Sequence, residues 1–485
     1  QSPLHTPPKA PLLHSMAAVL VALLLAVAEA QQVGKLNAEE HPSLPLSRCS
    51  LNGGCSAENT SVTLDANWRW LHDAGQGSYQ NCYTGTSWDQ KLCPDPKTCA
   101  QSCALEGVTR DSYAGTYGVK PTAGGLALQF VTQGQSGKNV GSRLYMVDEE
   151  GGYKLFKLKN REFAFDVDVS TLPCGLNGAV YFVEMKADGE VGGTNKAGAM
   201  YGTGYCDAQC PHDVKFMGGE ANLLDWNETS ATGRYGHCCS ELDIWEANSM
   251  ATAYTPHPCM TEGPLICEGI KCGDTSAGER YKGVCDKDGC DFNSWRMGNH
   301  SFYGPNLAID TTKPVTVVTQ FITADGKDSG DFVEMRRFYV QDGKVIPNSQ
   351  ASIQGSPVKG DSVTDAFCSA QKQAFGDSDD FARKGGMKQM GAALERGMVL
   401  VISLWDDSAT HMLWLDSDSP SDKPASTPGV SRGPCATDSG KPEDVRSKHP
   451  DAAVKYINLK YGQIGSTHPA VRSTATAEHG ELFVV

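Results

Sequence analysis

The stretch CCSELDIWEAN, Cys238 to Asn248, places three carboxylates, Glu241, Asp243 and Glu246, among Leu, Ile and Trp directly behind two adjacent cysteines. On a strand, side chains alternate, so Glu241 and Asp243 share one face while Leu242 and Ile244 take the other. Strict counting puts Glu246 on the wrong face. A β-bulge or local twist is needed to re-aim it, and bulges are common beside active sites. Carboxylates held close together oppose one another's ionisation, so one stays protonated while another remains an anion. That division suits glycoside hydrolysis, in which one acid attacks the anomeric carbon or activates water and the other protonates the leaving oxygen. Asp243 is placed to hydrogen-bond the nucleophile. Calcium ligation and a solvated edge strand stay open at this point, although no EF-hand-like ligand loop is present.

A sugar ring presents C–H faces that pack on flat aromatic surfaces. Trp68 and Trp70, two apart in DANWRWLH, are expected to share a strand face. Trp405 and Trp414 bracket DDSATHML, as if flanking a loop over the site. Tryptophans also serve as core or surface anchors, so neither pair decides the matter alone.

These residues must be held by a scaffold, and strand-like runs recur along the chain: residues 125–131, 142–147, 161–169, 178–186, 315–321, 335–340 and 398–407. Their alternation and β-branched content suit half-buried strands between Gly, Pro, Asn and Asp turns. Only 385–397 suggests a helix. One large all-β sandwich with long stapled loops accounts for this pattern, and the 52 glycines fit many tight turns. Residues 426–452, rich in turn formers but holding Cys435, are expected to form a tethered loop leading to a final edge strand.

The 485 residues carry a net charge of -15, which disfavours nucleic acid and anionic membranes as partners. The 18 cysteines fit up to nine bridges in an oxidising compartment, whereas zinc is poorly served because no Cys-x2-Cys pair occurs. Met16 to Ala30 is an apolar run ending in Ala28-x-Ala30, the form of a signal peptide, and is short for a membrane span. The reading is therefore residues 1–15 as an unassigned leader, 16–30 as a signal peptide, and 31–485 as one secreted domain. Secretion makes Asn59, Asn227 and Asn299 glycosylation candidates.

Long motifs in order, DANWRW, FDVDVSTLPCGLNGAVYFVEM, YGTGYCDAQCPHDVKF, CCSELDIWEANS, TPHPC, GCDFN, FYGP, VISLWDD and MLWLDS, resemble glycoside hydrolase family 7, the secreted retaining cellulases, and its cellobiohydrolases in particular. The resemblance spans roughly 36–473. It implies a concanavalin A-like jelly-roll with a long groove or tunnel across its concave sheet, acting on cellulose chains and cello-oligosaccharides as a monomer without cofactor or metal. It implies Glu241 as nucleophile, Asp243 as its hydrogen-bonding partner, Glu246 as general acid/base and His257 as orienting the acid side. Trp68, Trp70, Trp405 and Trp414 match ring-stacking tryptophans. Arg280 and Arg432 match arginines of the product side, with Tyr181, Asp207, Gln209 and Asp288 as hydrogen-bonding neighbours. The same correspondence implies bridges Cys49–Cys55, Cys93–Cys99, Cys206–Cys239, Cys210–Cys238 and Cys267–Cys272.

The loop 273–283 is retained, which implies a covered tunnel and release of cellobiose from the reducing end. Ser408 and Ala409, where tunnel-forming relatives can carry tyrosines, imply a looser roof, and an endoglucanase is the alternative. A non-catalytic glucan-binding protein is expected to lose one glutamate, and both are present. No cellulose-binding module is recognised.

Overall fold

The computed structural model describes residues 31–468, apart from 76–78, 135–136, 193, 275–278, 354–355 and 357. The leader and signal-peptide readings lie outside these residues. Each strand-like run does form a strand: Gly125–Gln129, Ser142–Val147, Arg161–Asp168, Leu176–Val183, Val315–Thr323, Phe332–Gln341 and Met398–Asp406. They sort into two sheets of a jelly-roll sandwich. The front sheet has eight strands and is centred on Glu241–Ala247, Leu176–Val183 and Met398–Asp406, paired antiparallel. The back sheet has nine, centred on Val315–Thr323, Arg161–Asp168 and Ala453–Gln463.

One set of alternate side chains from each sheet fills the space between them. Val180, Phe182, Leu242, Ile244, Leu400 and Ile402 from the front meet Phe163, Phe165, Val317, Phe321 and Tyr456 from the back, all essentially inaccessible. Fully burying a side chain of this size stabilises the fold by about 1.5–3 kcal/mol, so the two inner faces fix the strand register. The other set, including Asn177, Ala179, Tyr181 and Val183, faces outward from the front sheet. That face is the floor of the site.

Three expectations need correction. The last strand, Ala453–Gln463, is not at an edge. It lies inside the back sheet, because Leu46–Ser50 pairs with it in parallel on one side and Arg161–Asp168 antiparallel on the other. The helix expected at 385–397 is present as Gly386–Arg396, burying Met387, Met390, Ala393 and Leu394, but it is not alone. Pro96–Ser102, Asp365–Phe375 and Pro442–Lys448 are also helical. The first two lack a long periodic pattern and lean on local devices. Asp95 and Thr364 cap their first turns, and Cys93–Cys99 and Cys290–Cys368 tether them.

All 18 cysteines pair, including the five bridges implied by the family resemblance. Cys174–Cys435 anchors the 426–452 loop. Cys206–Cys239 and Cys210–Cys238 tie the segment just before the acidic strand to the loop that carries Asp207 and Gln209. Asn59 and Asn227 are exposed, and Asn299 is half-buried.

Trp68 and Trp70 are not on a strand. They flank Arg69 in a turn after Ser61–Leu64. The guanidinium of Arg69 is buried. It donates to the Leu64 carbonyl at 3.0 Å, to Thr63 Oγ1 at 2.9 Å, and through two nitrogens to Glu39 at 2.6 and 3.1 Å. Trp68 and Trp70 on either side of it are half-buried, with Trp68 packed against the sandwich core. Burial opposes the Glu39 charge, but His41, Arg69 and the Val108 N–H outweigh it and lower its pKa to about 2. A depressed carboxylate contributes stability above its unfolded pKa near 4.5, and that contribution is lost as pH falls toward 2. Glu39→Gln should therefore cost on the order of 3 kcal/mol at neutral pH. Melting curves of parent and variant should converge as pH is lowered from about 4.5 toward 2; a gap independent of pH would contradict the account.

Candidate active site

The acidic strand Glu241–Ala247 carries a bulge. Against Leu176–Val183, Asp243 pairs with Tyr181 but Trp245 with Val180; against Thr252–His257, Asp243 pairs with Thr255 and Glu246 with Ala253. The extra residue lets Ile244 and Trp245, neighbours in sequence, both point into the core, where both are fully buried. Glu246 is thereby re-aimed to the face of Glu241 and Asp243.

The acids are not bathed in water. Glu241 and Asp243 are only 7% and 5% exposed, and Glu246 is half-buried. Glu241 Oε2 accepts from the Ala208 N–H at 3.1 Å, and Glu246 Oε1 accepts from Asn177 Nδ2 at 2.9 Å. Burial, followed by the charges of Asp243, Asp207 and Glu246, pushes the Glu241 carboxyl well above its ordinary range. Burial, then Asp243, does the same to Glu246, against His257 and Asn177. With carboxyls so close, at least one holds a proton at mildly acidic pH.

His257 does not touch Glu246; its partner is Asp243. Its Nε2 lies 3.1 Å from Asp243 Oδ2, and its Nδ1 is 2.8 Å from the Asp286 carbonyl oxygen. A carbonyl can only accept, so Nδ1 carries a proton. Nε2 then either donates as imidazolium to an Asp243 carboxylate or accepts from a protonated Asp243. Burial works against the imidazolium, yet the hydrogen bond and charge of Asp243 raise the His257 pKa to about 9. Burial raises Asp243 in turn, with His257 opposing. Ligand atoms of Glu241, Asp243 and His257 lie within 4.8 Å of one another. Because His257 and Asp243 already bond each other, the set reads as a proton-sharing network.

The remaining candidates make the following contacts. Tyr181 and Tyr205 hydroxyls are 3.0 Å apart, and Tyr205 donates to Asp207 at 2.6 Å. Gln209 Nε2 and Arg280 Nη2 both donate to the Lys287 carbonyl, at 2.8 and 3.2 Å. Asp288 accepts from Arg280 Nε at 2.7 Å and from the Tyr281 hydroxyl at 2.9 Å. Arg432 lies 4.0 Å from Asp291, and burial with Arg296 nearby lowers its pKa to about 10. Trp405 and Trp414 come together, their rings 6.4 Å apart and 29° from parallel, with Trp414 Nε1 donating to Asp407. Trp68 donates to the Val140 carbonyl and Trp70 to Asn81. Ser408 and Ala409 are exposed at the loop tip. Part of the 273–283 loop falls outside the described residues.

The sequence reading missed Asn177, Tyr205 and Asp286. Asn177 had a signal: it shares parity with Tyr181 on one strand, so it faces the same side. Tyr205 and Asp286 act from loops, where spacing says nothing about direction.

Comparison with known proteins agrees with this geometry. The model of glycosyl hydrolase family 7 matches residues 33–468. A cellobiohydrolase of this family from Daphnia pulex is 52% identical, with TM-score 0.88, over 90% of this chain and all of that one. A cellobiohydrolase from Melanocarpus albomyces, solved with cellotetraose, is 42% identical with TM-score 0.83 at the same coverage. An endocellulase from Humicola insolens is 36% identical with TM-score 0.75, again over 90% and 100% of the two chains. From the match along nearly its whole described length, the chain belongs to glycosyl hydrolase family 7.

Proposed function

We propose that this chain is a secreted, monomeric retaining cellulase that releases cellobiose from the reducing end of cellulose. The observation that carries the reading is the bulged strand. It sets Glu241 and Glu246 on one face and gives each a different hydrogen-bond donor, the Ala208 N–H and Asn177. Ionised Glu241 attacks the anomeric carbon while Glu246 gives its proton to the leaving glycosidic oxygen. The C–O bond breaks and a glycosyl ester forms on Glu241. Glu246, now an anion, takes a proton from water, whose oxygen displaces Glu241 and restores the original configuration. Asp243 and His257 hold one further proton beside the nucleophile and position it.

The roles of the flanking residues follow from the same reading. Trp68 and Trp70 receive the chain, Trp405 and Trp414 form a platform near the acids, and Arg280, held by Asp288 and Tyr281, grips the product. The greater similarity to cellobiohydrolases than to the endocellulase supports exo action. The exposed Ser408 and Ala409 favour some internal attack through an open roof. The nine disulfides accord with secretion.

On cellulose, cellobiose should dominate the soluble products with little early loss of polymer length; mixed oligosaccharides with rapid shortening would favour endo action. Glu241→Gln should lower activity on the order of 10^3-fold or more on every substrate. Glu246→Gln should do so on cellulose while sparing glycosylation by aryl cellobiosides, whose leaving group needs no proton. Equal loss on both substrates would contradict the assignment of the acid.

The His257 imidazole should titrate near 9 by NMR and move down in Asp243→Asn. A raised folded pKa contributes stability that is complete below 6.5 and lost as pH rises through about 9. The parent should therefore lose thermal stability across that alkaline range more steeply than Asp243→Asn. Titration near 6.5 in the parent would remove the proposed ion pair.

A further inference from the structure

At one open end of the sandwich, between the two sheets, lies a groove of about 830 Å³ that shares no residue with the catalytic face. Its composition runs against the chain. In a protein of net charge -15, four cations line it, Arg48, Lys157, Lys159 and Arg161, against two acids, Asp328 and Glu395.

The placement of these cations follows from strand parity. Arg161 is the next residue on the face of Phe163, and Arg48 the next on the face of Leu46, whose Phe and Leu side chains are core. The inward face of the back sheet therefore ends in two guanidinium groups where another apolar layer would normally stand. Two of the four cations are paired. Arg161 bonds Asp328 at 2.7 Å and Lys159 bonds Glu395 at 2.8 Å. Arg48 and Lys157 are exposed and form no ion pair with a described carboxylate; Glu58, whose charge Arg48 also favours, pairs with Lys154 at 2.6 Å and accepts from the Tyr461 hydroxyl at 2.8 Å.

The lining beside these cations includes an aromatic ring. Tyr461, opposite Arg48 in the parallel register, packs edge-on against Phe156 with Lys154 over its ring at 5.8 Å, and the exposed Leu155 also lines the groove. An aromatic ring and an aliphatic side chain beside two exposed, unpaired cations suit a sugar that carries an anionic group: C–H faces pack on Tyr461 and Leu155, and the oxyanion meets Arg48 and Lys157. The volume lies in the range of pockets that enclose small ligands.

We propose that this groove is a second carbohydrate site, which binds the oxyanion-bearing sugars, carboxylated or sulfated, of anionic polysaccharides. It would give a strongly acidic enzyme a local hold on an anionic matrix that otherwise repels it.

The test uses the full protein in affinity electrophoresis, with gels holding polygalacturonate, a sulfated galactan or neutral galactomannan. The groove variant is Arg48→Glu/Lys157→Glu, with Arg48→Gln/Lys157→Gln as a milder second form. Lys344→Glu/Lys423→Glu makes the same change of net charge at exposed positions outside the groove. Hydrolysis of soluble cello-oligosaccharides, unchanged in all three, reports that each is folded. The parent and the control should be retarded by one or both anionic polymers but not by the neutral one. The apparent Kd should weaken about 10-fold or more in the groove variants, and retardation should vanish at about 0.5 M salt as charges are screened. Retardation by polygalacturonate alone identifies the carboxylate as the ligand, and by the galactan alone the sulfate. Retardation of the parent by neither, or equal loss in the control and groove variants, overturns the proposal.

Discussion

Everything at the front of this molecule depends on keeping three carboxylates side by side with little water around them. Burial alone would drive each to take a proton, and mutual repulsion adds to that pressure. The chemistry needs one acid and one anion. The structure meets this with separate partners for each group: a backbone N–H for Glu241, an amide for Glu246 and an imidazole for Asp243. The partners come from different elements, so the site works only if those elements cannot drift. Cys206–Cys239 and Cys210–Cys238 bind the loop that donates to Glu241 to the residues preceding its strand, and so fix that distance covalently.

The same logic extends outward along the groove. Arg69 is held in the interior by Glu39, between the half-buried Trp68 and Trp70. Asp407 accepts from Trp414 and from the backbone of Ala409 and Thr410, so one carboxylate shapes both the loop and the platform beside it.

Much of this was legible in the sequence because it rests on period-two alternation. Glu241 with Asp243 against Leu242 with Ile244 follows from counting, and the parity of Glu246 called for a bulge or a local twist if that residue joins the site. What was not legible came from non-local pairing. Nothing in Ala453–Gln463 announces that a distant N-terminal strand covers its flank. Trp68 and Trp70 have strand spacing but belong to a turn, because Arg69 between them is buried by contacts up to Glu106. The partner of His257 was not legible for the same reason: the pairing of Glu241 with His257 across two strands sets it beside Asp243, and only register reveals that. Family resemblance supplied five of the nine disulfide pairings, which spacing leaves open.

The central claim, that Glu241 is the anion and forms a glycosyl ester while Glu246 is the acid, is tested most directly by trapping that ester. A 2-deoxy-2-fluoro cellobioside with a good leaving group slows the second displacement more than the first, so the intermediate accumulates. Mass spectrometry of the labelled protein should find one added fluorocellobiosyl group, on the peptide containing Cys238 to Asn248, and fragmentation should place it on Glu241. A label on Glu246, or steady turnover with no covalent species at any time, would contradict the account.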